Sequence, residues 1–593
     1  MITDAPNANI LWAELIVEEL IRNGVEHFII SPGSRSTPLT VAAARNPKAK
    51  TTVHFDERGA AFFALGVAKA LDKPCALICT SGTAVANYFP AIVEASMSYV
   101  PLVVLTADRP PELQNTGANQ TINQTNIYGE YVRSFAAIPC PDPHVPLAYV
   151  LTTIDHAVAA ARRSPSGPVH INCAYREPLA PSGTMHNASL CKSVEQWLKT
   201  DEPHTRLERP QFTGNDEGIL NLAEVLQKSQ RVLSVLGYLP DANHDLASGL
   251  VAHCLTSHCE RLVFADITSD ARELPTLPEN NAPVANYDLM LLSPRFRELC
   301  KPEVVVHFGG PIVSKRLAEH LAAVKPRHYV HVADHGNRLD PHHQVTHRVQ
   351  ASAFTAAAFL FSDKQTASSA WTMQIREASK TAQAVVGNCF DDQTSLTEPL
   401  VAYLIGELLN GRQNVLFVGN SMPVRYLDMY GGLLPRLTEV IANRGASGID
   451  GNIATAAGYS NAKDCVVTAI IGDLTALHDL NSLSLLKQDG VRVLLIVLNN
   501  NGGGIFHFLP IAEHTDVFEK YFGTPHGLHF DDAARMFGLP YACPATKAEF
   551  IEVYKKAQDS ATSSIIEVVT DREENFRLHR KISDAVVKAL EQL

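Results

Sequence analysis

The sequence predicts an α/β protein built of three domains, each a doubly wound parallel sheet. Short apolar runs of strand length alternate with helical stretches along the chain, and two polar stretches divide this alternation into three blocks. The 593 residues are also too many for one hydrophobic core, since a domain averages about 150 residues. We therefore place the domains at residues 1–190, 210–362 and 395–593.

The apolar runs are interpreted as strands buried on both faces of a sheet. The polar stretches at residues 186–215 and 362–370 are interpreted as linkers, and a helix is expected after the second one. Helical segments of the first block include residues 60–71 and 154–162. The predicted strands are residues 25–31, 75–80, 102–107 and 169–173 in the first block, 231–236, 261–265, 304–308 and 328–332 in the second, and 414–419, 439–442, 466–471, 491–498 and 564–569 in the third.

Composition narrows the class of protein. Apolar residues make up 46% and charged residues 19% of the chain, as in ordinary globular proteins, and the net charge of −12 opposes nonspecific binding to nucleic acid. No apolar run is long enough to span a bilayer, and the first residues are typical of an amphipathic helix rather than a signal peptide. Eleven scattered cysteines without a C-x-x-C pair favour a reducing cytoplasm over a disulfide framework or a zinc site.

The most informative motif lies between residues 470 and 510. Asp473 follows one predicted strand, and Asn500 and Gly502 follow the next strand of the same β-α-β unit. Parallel strands of such a unit end at the same edge of the sheet, where open α/β folds bind ligands. A carboxylate, an amide oxygen and a glycine-rich backbone suit Mg²⁺ together with a diphosphate. The alternative is a simple helix start with Asp473 as N-cap.

The spacing of Asp473 and Asn500 resembles the metal–diphosphate motif of thiamine-diphosphate enzymes. That motif usually reads Gly-Asp-Gly, and Leu474 replaces its last glycine here. The resemblance implies that Asp473, Asn500 and the Gly502 carbonyl bind Mg²⁺, with Mn²⁺ as the alternative metal. It also implies cofactor contacts from Leu474, Thr475 and Gly503.

The same resemblance implies an activating glutamate in the first domain. Glu57 follows a short strand and opens an apolar, alanine-rich helix, which is the family's arrangement. There the glutamate shares a proton with the aminopyrimidine of the cofactor, for which a dry pocket that raises its pKa is needed. The alternative is a carboxylate that merely favours the first turn of a helix.

A glycine-rich segment at residues 443–451 follows a predicted strand, so its backbone can approach a ligand closely. The resemblance implies that Ile449 supports the bent cofactor and that the Ser447 carbonyl binds its pyrimidine. A plain strand-to-helix turn is the alternative. In the family the cofactor lies between a pyrimidine-binding and a diphosphate-binding domain of two different subunits, so a homodimer or homotetramer is implied.

Several cationic and polar residues follow the carboxyl ends of predicted strands. Arginine binds carboxylates through paired hydrogen bonds, so a cluster of arginines around one cavity indicates a polyanionic substrate. Each one taken alone is more often a solvated or ion-paired residue. The set is Ser34, Arg35, Arg109, Asn119, Gln120, Lys315, Arg316, Ser421, Arg425 and Arg444.

The strings SPGSRSTPLT near residue 31, GDL at 472 and NNNGGGIFHFLP before 510 closely resemble the 2-succinyl-5-enolpyruvyl-6-hydroxy-3-cyclohexene-1-carboxylate synthase family of menaquinone biosynthesis, which uses GDL. The resemblance implies decarboxylation of 2-oxoglutarate and conjugate addition of the four-carbon carbanion equivalent to isochorismate. Both substrates are dicarboxylates, which agrees with the cationic set. Ser421 and Arg425 would hold the donor, and Arg35, Arg109 and Lys315 would lie nearer the acceptor. Ile505 and Phe506 would exclude water, or are plain core residues.

Other functions stay open at this point. Another thiamine-dependent enzyme of 2-oxo acids, such as an acetohydroxyacid synthase, is the main alternative. A nicotinamide oxidoreductase is disfavoured because no G-x-G-x-x-G follows a strand. A non-catalytic scaffold is disfavoured because Glu57, Asp473 and Asn500 are all present. His343 and His347 have the i, i+4 spacing of a helical metal site, but Pro341 makes a helix there doubtful.

Overall fold

The predicted α/β class with three parallel sheets is confirmed by a computed structural model of the chain. The structure describes residues 2–185, 188–207, 217–239, 261–272, 282–360, 369–409, 415–435 and 438–593. Every pairing between the strands named below is parallel, and the central strands are apolar and buried. None of the helices in these ranges is long and apolar enough to cross a membrane.

The first sheet has the strand order β2-β1-β3-β4-β6-β5. The first helix, α1 (Ala8–Arg22), is apolar and is capped by Asn7. The strands are β1 (His27–Ile30), β2 (Lys50–Val53), β3 (Cys75–Cys79), β4 (Leu102–Asp108), β5 (Phe135–Ile138) and β6 (Val169–Ala174). The helices are α1 (Ala8–Arg22), α2 (Thr37–Arg45), α3 (Glu57–Leu71), α4 (Thr83–Asn87), α5 (Phe89–Met97), α6 (Leu147–Arg162), α7 (Ala188–Cys191) and α8 (Glu195–Leu198).

The second sheet has the order β11-β10-β9-β7-β8. Its strands are β7 (Val232–Leu236), β8 (Leu262–Ala265), β9 (Val304–Phe308), β10 (His328–Ala333) and β11 (His347–Gln350). The helices of this block are α9 (Glu217–Lys228), α10 (Tyr287–Met290), α11 (Pro294–Leu299), α12 (Lys315–Val324) and α13 (Ala353–Leu360), and α14 (Ala370–Asp391) leads to the third block, as predicted.

The third sheet has the order β13-β12-β14-β15-β17-β16. Its strands are β12 (Val415–Val418), β13 (Glu439–Ile441), β14 (Val466–Gly472), β15 (Arg492–Asn499), β16 (Tyr541–Ala542) and β17 (Ser564–Val569). Its helices are α15 (Glu398–Leu408), α16 (Met422–Tyr430), α17 (Asn452–Lys463), α18 (Asp473–His478), α19 (Thr515–Phe518), α20 (Asp531–Phe537), α21 (Lys547–Gln558) and α22 (Arg572–Leu590).

By their contacts the residues form two compact units. The first unit contains residues 1–210, 443–464 and 479–491, and the second contains the remainder. The first sheet therefore shares a unit with α17 and the loop before it, while the second and third sheets share the other. The domain boundaries given above remain a prediction.

Within the first unit, α3 and α17 cross at two glycines. A Cβ on Gly66 would lie 2.1 Å from the Thr455 carbonyl oxygen, and one on Gly458 would lie 2.0 Å from the Phe63 carbonyl oxygen. The absence of side chains lets the two backbones touch. This contact fixes the start of α17, and with it the glycine-rich segment that precedes α17.

The prediction of a linker at residues 186–215 is wrong for part of that stretch. The described residues 188–198 form α7, a short 3-10 turn and α8, and Val194 and Trp197 are buried in the core of the first unit. Trp197 donates from Nε1 to Glu19, and the Arg22 guanidinium lies 3.8 Å from the centre of its ring. Scattered apolar residues in a polar stretch hid this packing. Residues 362–368 of the other predicted linker, at 362–370, lie outside the described residues.

Candidate active site

Asp473 is a buried residue that joins the ends of two neighbouring strands. It follows β14 as the first residue of α18 and is 2% exposed. Its Oδ1 accepts from the Leu474 N–H at 2.6 Å, and its Oδ2 accepts from the Gly502 N–H, beyond β15, at 2.8 Å. His526 Nε2 lies 3.1 Å from the same Oδ2. The carboxylate therefore binds the loop after β15, instead of serving only as a cap of α18.

Asn500 presents an oxygen atom without a hydrogen-bond partner. Its Nδ2 donates to Glu398 Oε1 at 2.6 Å, while its Oδ1 is buried and unpartnered among the described residues. Burial raises the pKa of Glu398 to about 7, and the nearby Asp473 charge adds to this effect. Glu398 was not predicted from the sequence, because it lies 102 residues away from Asn500 along the chain. Its position among apolar residues at the start of α15 was the available signal.

The loop after β15 depends on glycine. Gly502 has a φ of +132°, and a Cβ there would lie 1.9 Å from the Gly523 carbonyl oxygen. The Gly503 N–H donates to the same Gly523 oxygen at 2.7 Å. Asn501 Oδ1 then accepts from the N–H groups of His526 and Gly527. A second loop thus holds the Asn500–Gly502 segment in a fixed conformation.

These residues fit a divalent cation with a diphosphate. The buried Asn500 Oδ1 without a partner and the Asp473 carboxylate are hard oxygen donors, which Mg²⁺ prefers. Both belong to segments fixed by backbone hydrogen bonds, so the donors are preorganised. The structure thus brings together Asp473, Asn500 and Gly502, as the sequence predicted, with Leu474, Thr475 and Gly503 as their chain neighbours.

Glu57 is the first residue of α3, as expected. Asp56 caps the helix by accepting from the N–H groups of Arg58 and Gly59, and Glu57 Oε2 accepts from Asn87 Nδ2 at 3.3 Å. The first unit leaves Glu57 half-buried, and Phe55 just before it is 63% exposed. The dry pocket that we expected is therefore not supplied by this unit of the chain alone.

Glu94 on α5 holds the glycine-rich loop at residues 443–451. This buried carboxylate accepts from the N–H groups of Gly445 and Ala446 at 2.9 and 2.6 Å. Ser447 has a φ of +59°, a strained conformation for a residue other than glycine, and Ile449 is 38% exposed. A cavity of about 190 Å³ lies beside this loop and is lined by Phe62, Pro90, Val93, Glu94, Asn443, Ala446, Gly448 and Asp450.

Arg35 and Arg109 meet at the carboxyl end of the first sheet. Arg35 is 4% exposed, donates from Nη1 to the Tyr175 carbonyl at 3.0 Å and lies 3.3 Å from Glu177. Burial, and then the neighbouring charge of Arg109, lowers the pKa of Arg35. The Nε atoms of both arginines are buried and unpartnered among the described residues. Two cations beside the buried Asp108 form a site that can accept an anion.

The other predicted residues of the first unit lie on exposed loops. Ser34 and Asn119 are exposed, and Gln120 bonds to Ser81 at the end of β3. Gln124, which was not predicted from the sequence, is 1% exposed and accepts from the Gly82 N–H while donating to Asn172. Gln124 joins the ends of β3, β4 and β6.

The cationic residues of the second unit are more dispersed. Ser421, at the start of α16, has a φ of +71°, and its carbonyl accepts from Arg425 Nη1. Arg316 is paired with the Asp288 carboxylate, whereas Lys315 is 86% exposed and lies 3.3 Å from Glu319. The structure therefore brings Ser421 and Arg425 together.

Three further predicted residues have mixed surroundings. Ile505 packs against the core of the second unit, and the Phe506 ring meets the Phe522 ring edge-on at 5.5 Å. Both side chains are half-buried, which agrees with an apolar wall and with packing in the core. Arg444 is half-buried in the glycine-rich loop.

The histidine pair is not on one helix. His343 lies in a turn with a φ of +56°, and His347 begins β11. The i, i+4 spacing therefore does not place the two rings on one face of a helix, in agreement with the doubt that Pro341 raised about a helical metal site.

Comparisons with known proteins agree with this geometry. Three family models match: "Thiamine pyrophosphate enzyme, N-terminal TPP binding domain" at residues 12–127, "Middle domain of thiamine pyrophosphate" at 188–418, and "Thiamine pyrophosphate enzyme, C-terminal TPP binding domain" at 431–568. Curated relatives named 2-succinyl-5-enolpyruvyl-6-hydroxy-3-cyclohexene-1-carboxylate synthase include one from Salinibacter ruber, 43% identical over 100% of this chain and 99% of the relative. Those from Rubrobacter xylanophilus and Pelodictyon phaeoclathratiforme are 45% and 43% identical, each over 97% of this chain and over 98% and 95% of the relative.

Proposed function

The chain belongs to the 2-succinyl-5-enolpyruvyl-6-hydroxy-3-cyclohexene-1-carboxylate synthase family of thiamine-diphosphate enzymes, and we propose that it performs that synthesis in menaquinone biosynthesis. It would release CO2 from 2-oxoglutarate and add the remaining four-carbon unit to isochorismate by conjugate addition. The observation that carries the proposal is the fixed set of oxygen donors at Asp473, Asn500 and Gly502, in a chain that aligns with these synthases over its whole length.

The second unit would hold the metal and the diphosphate. Asp473, Asn500 Oδ1 and the Gly502 carbonyl would bind Mg²⁺, or Mn²⁺ in its place. Leu474, Thr475 and Gly503 lie next to these ligands in the chain and would contact the diphosphate. When bound, thiamine diphosphate supplies the nucleophilic carbon that attacks a 2-oxo acid.

The first unit would activate and support the cofactor. Glu57 would share a proton between its carboxyl oxygen and a ring nitrogen of the aminopyrimidine. Ser447 and Ile449 would support the ring from the loop that Glu94 holds. The strained backbone of Ser447 supports this role, because such strain is found most often at functional sites.

Cationic side chains would bind the two dicarboxylates. We assign Ser421 and Arg425 to 2-oxoglutarate, since the structure pairs them at a strained helix start. Arg35, Arg109 and Lys315 are assigned to isochorismate, with the unpartnered Nε atoms of the two arginines as the strongest support. Ser34, Asn119, Gln120, Arg316 and Arg444 would line these sites, and Ile505 and Phe506 would exclude water.

We further propose a homo-oligomer with active sites at the subunit interface. Glu57 is half-buried, and the apolar side chains of Val53, Phe55 and Ile449 are 56%, 63% and 38% exposed in the first unit. A second subunit that covers them would supply the dry surroundings Glu57 needs. A cytoplasmic location is supported by the nine cysteines in the described ranges, all of which are free thiols.

The test is an assay with the purified protein, thiamine diphosphate, Mg²⁺, 2-oxoglutarate and isochorismate. We expect isochorismate to disappear in step with CO2 release, and omission of any one component to stop both. If the protein bound thiamine diphosphate and Mg²⁺ but isochorismate did not disappear, the proposal would be contradicted. Turnover of pyruvate instead, or a yellow flavin-containing protein, would favour an acetohydroxyacid synthase.

A further inference from the structure

Glu398 is a buried carboxylate behind the predicted metal ligands. It is 2% exposed at the start of α15. Its Oε1 accepts from Asn500 Nδ2 at 2.6 Å, from Asn575 Nδ2 at 3.1 Å and from Thr570 Oγ1 at 3.5 Å. Asn575 Oδ1 in turn accepts from the Glu398 N–H at 2.9 Å. The carboxylate is thus fixed by α22 and directed at Asn500.

A buried carboxyl group destabilises a fold unless its bonds compensate for lost hydration. Glu398 lies near Asp473, a second buried acid, which makes its position less favourable still. An apolar side chain at the start of α15 would avoid both effects. The hydrogen bond from Asn500 is the contact that connects this buried carboxyl group to the proposed metal ligands.

The chemistry of an amide explains what that bond achieves. A carboxamide can turn over and exchange its oxygen for its nitrogen, but only its nitrogen donates. Glu398 Oε1 also accepts from Asn575 Nδ2 and Thr570 Oγ1, so it faces Asn500 as an acceptor, and Asn500 presents Nδ2 to it. Asn500 Oδ1 then points away from Glu398, and it is the atom that has no partner among the described residues.

We propose that Glu398, anchored by Asn575 and Thr570, is a positioning residue that fixes the Asn500 amide with Oδ1 toward the divalent cation. Glu398 sets the cation affinity through Asn500 and does not bind the cation itself. The inference rests on the proposed function, since it takes Asn500 as a ligand of the metal. Outer partners of this kind typically change metal affinity by about 10–100-fold when they are removed.

The first experiment measures Mn²⁺ binding to the full chain with saturating thiamine diphosphate, from the electron paramagnetic resonance signal of free Mn²⁺. Glu398→Ala should weaken Mn²⁺ binding by about 10–100-fold. Glu398→Gln keeps a neutral oxygen acceptor for Asn500 Nδ2 and should stay within about threefold of the parent. Equal losses in both variants would overturn the inference, because the charge and not the acceptor would then matter.

A matched control separates this effect from general loosening of the fold. Glu19 is another fully buried carboxylate, in the first unit, and it accepts from Trp197 Nε1 and the His204 N–H. Glu19→Gln should leave the Mn²⁺ dissociation constant within about twofold of the parent, because its bonds to Trp197 and His204 lie within the first unit, whereas the proposed metal loop at residues 500–502 belongs to the second. A loss in this variant as large as in Glu398→Ala would contradict the inference.

A double-mutant cycle tests whether Glu398 acts through Asn500. In an Asn500→Ala background, Glu398→Ala should change Mn²⁺ affinity by less than about twofold, because the group to be positioned is gone. A full, additive loss in that background would show that Glu398 affects the cation directly and would overturn the inference.

Asn575→Ala provides a second variant should Glu398→Ala fail to fold. It removes one of the anchors of Glu398 and should weaken Mn²⁺ binding by several-fold while circular dichroism stays unchanged. An Asn575→Ala protein with parental affinity would contradict the anchoring role. If the parent protein bound no Mn²⁺ in the presence of thiamine diphosphate, the proposed function would fail. If the parent bound Mn²⁺ and the variants bound it equally well, only the positioning role would fail.

Discussion

The proposed metal loop of the second unit and the Glu57 region of the first unit differ in how much of each is buried within one chain. Asp473 is 2% exposed, and its carboxylate is bonded to the Gly502 N–H. Glu57 is half-buried, and Ile449, its expected companion, is 38% exposed. The proposed diphosphate side is therefore buried in a core, whereas the proposed pyrimidine side lies at a surface.

This difference has consequences for what a substitution does. A change in the metal loop alters packed backbone, so it affects folding and binding together. A change at Glu57 removes a half-buried carboxyl group with one long hydrogen bond, so it affects chemistry with little effect on folding. The largest expected effect is thus a catalytic one in the first unit.

Glu57→Gln should reduce the rate of isochorismate consumption by about 10³-fold, because an amide cannot exchange the proton that the aminopyrimidine needs. Binding of thiamine diphosphate, measured by calorimetry, should stay within a few-fold of the parent. The matched control is Glu112→Gln, which alters an exposed carboxylate paired with Arg176 and should leave the rate unchanged. Near-normal turnover in Glu57→Gln would refute the assignment.

Gly502→Ala should be the most damaging change to the metal loop. Its φ of +132° and the Gly523 oxygen 1.9 Å from a Cβ leave no room for alanine, so we expect a loss of about 3 kcal/mol in unfolding free energy. Chemical denaturation measures this loss. Gly472→Ala at the end of β14 is the control, since its Cβ would meet no atom within 4 Å, and it should cost less than about 1 kcal/mol. Equal losses would contradict the close packing of this loop.

The same contrast between buried and exposed segments decides what the sequence could predict. Strands inside a sheet, such as β9 and β17, were predicted to the residue because most of their residues are apolar and buried. The edge strands β5, β11 and β16 were missed because they are short and partly exposed, and β2 was expected only as a short strand before Glu57, without bounds.

The residues of the proposed site could likewise be predicted from the sequence only in part. Asp473 and Asn500 could be found from sequence because one β-α-β unit places both strand ends at one edge. Glu398 and Glu94 could not, because their bonds to Asn500 and Gly445 join residues 102 and 351 positions apart. Only the packing of helices on the sheets brings such groups together.

Asp473→Ala should abolish the stabilisation that the cofactor provides. A ligand at 100 times its Kd stabilises a protein by about 2.7 kcal/mol, and loss of a metal ligand removes most of this gain. The measurement is the shift of the thermal unfolding midpoint on adding thiamine diphosphate with Mg²⁺. Asp516→Ala, which alters an exposed residue of the same unit, should keep the full shift. A full shift in Asp473→Ala would show that this carboxylate is not a ligand.

Acid should destabilise the core of the first unit near the carboxyl end of the first sheet, where Arg35 and Arg109 lie. Burial lowers the pKa of His170 to about 3, and its Nε2 lies 2.7 Å from Thr106 Oγ1. Because the folded pKa is below the ordinary value of 6.5, the stability that neutral His170 allows is complete above pH 6.5 and is lost as the pH falls toward 3. The expected slope is at most about 1.4 kcal/mol per pH unit.

Hydrogen exchange of the β4 and β6 amides, compared between pH 7 and pH 5 after correction for intrinsic rates, measures this slope. His170→Gln should reduce it, whereas the exposed His144→Gln should not. An unchanged slope in His170→Gln would place the acid sensitivity in other groups of the first unit, such as His27 and His54, whose pKa values burial lowers to about 4.

The smallest expected effect concerns the donor substrate. Arg425→Ala removes a guanidinium beside the strained Ser421 but leaves the metal loop intact, so the KM for 2-oxoglutarate should rise by about tenfold. The concentration of thiamine diphosphate that gives half-maximal activity should change far less. Arg535→Ala, at an exposed arginine paired with Asp532, should alter neither value. A rise in the KM for isochorismate alone would reverse the assignment and place Arg425 on the acceptor side, with the first unit's arginines left to hold 2-oxoglutarate.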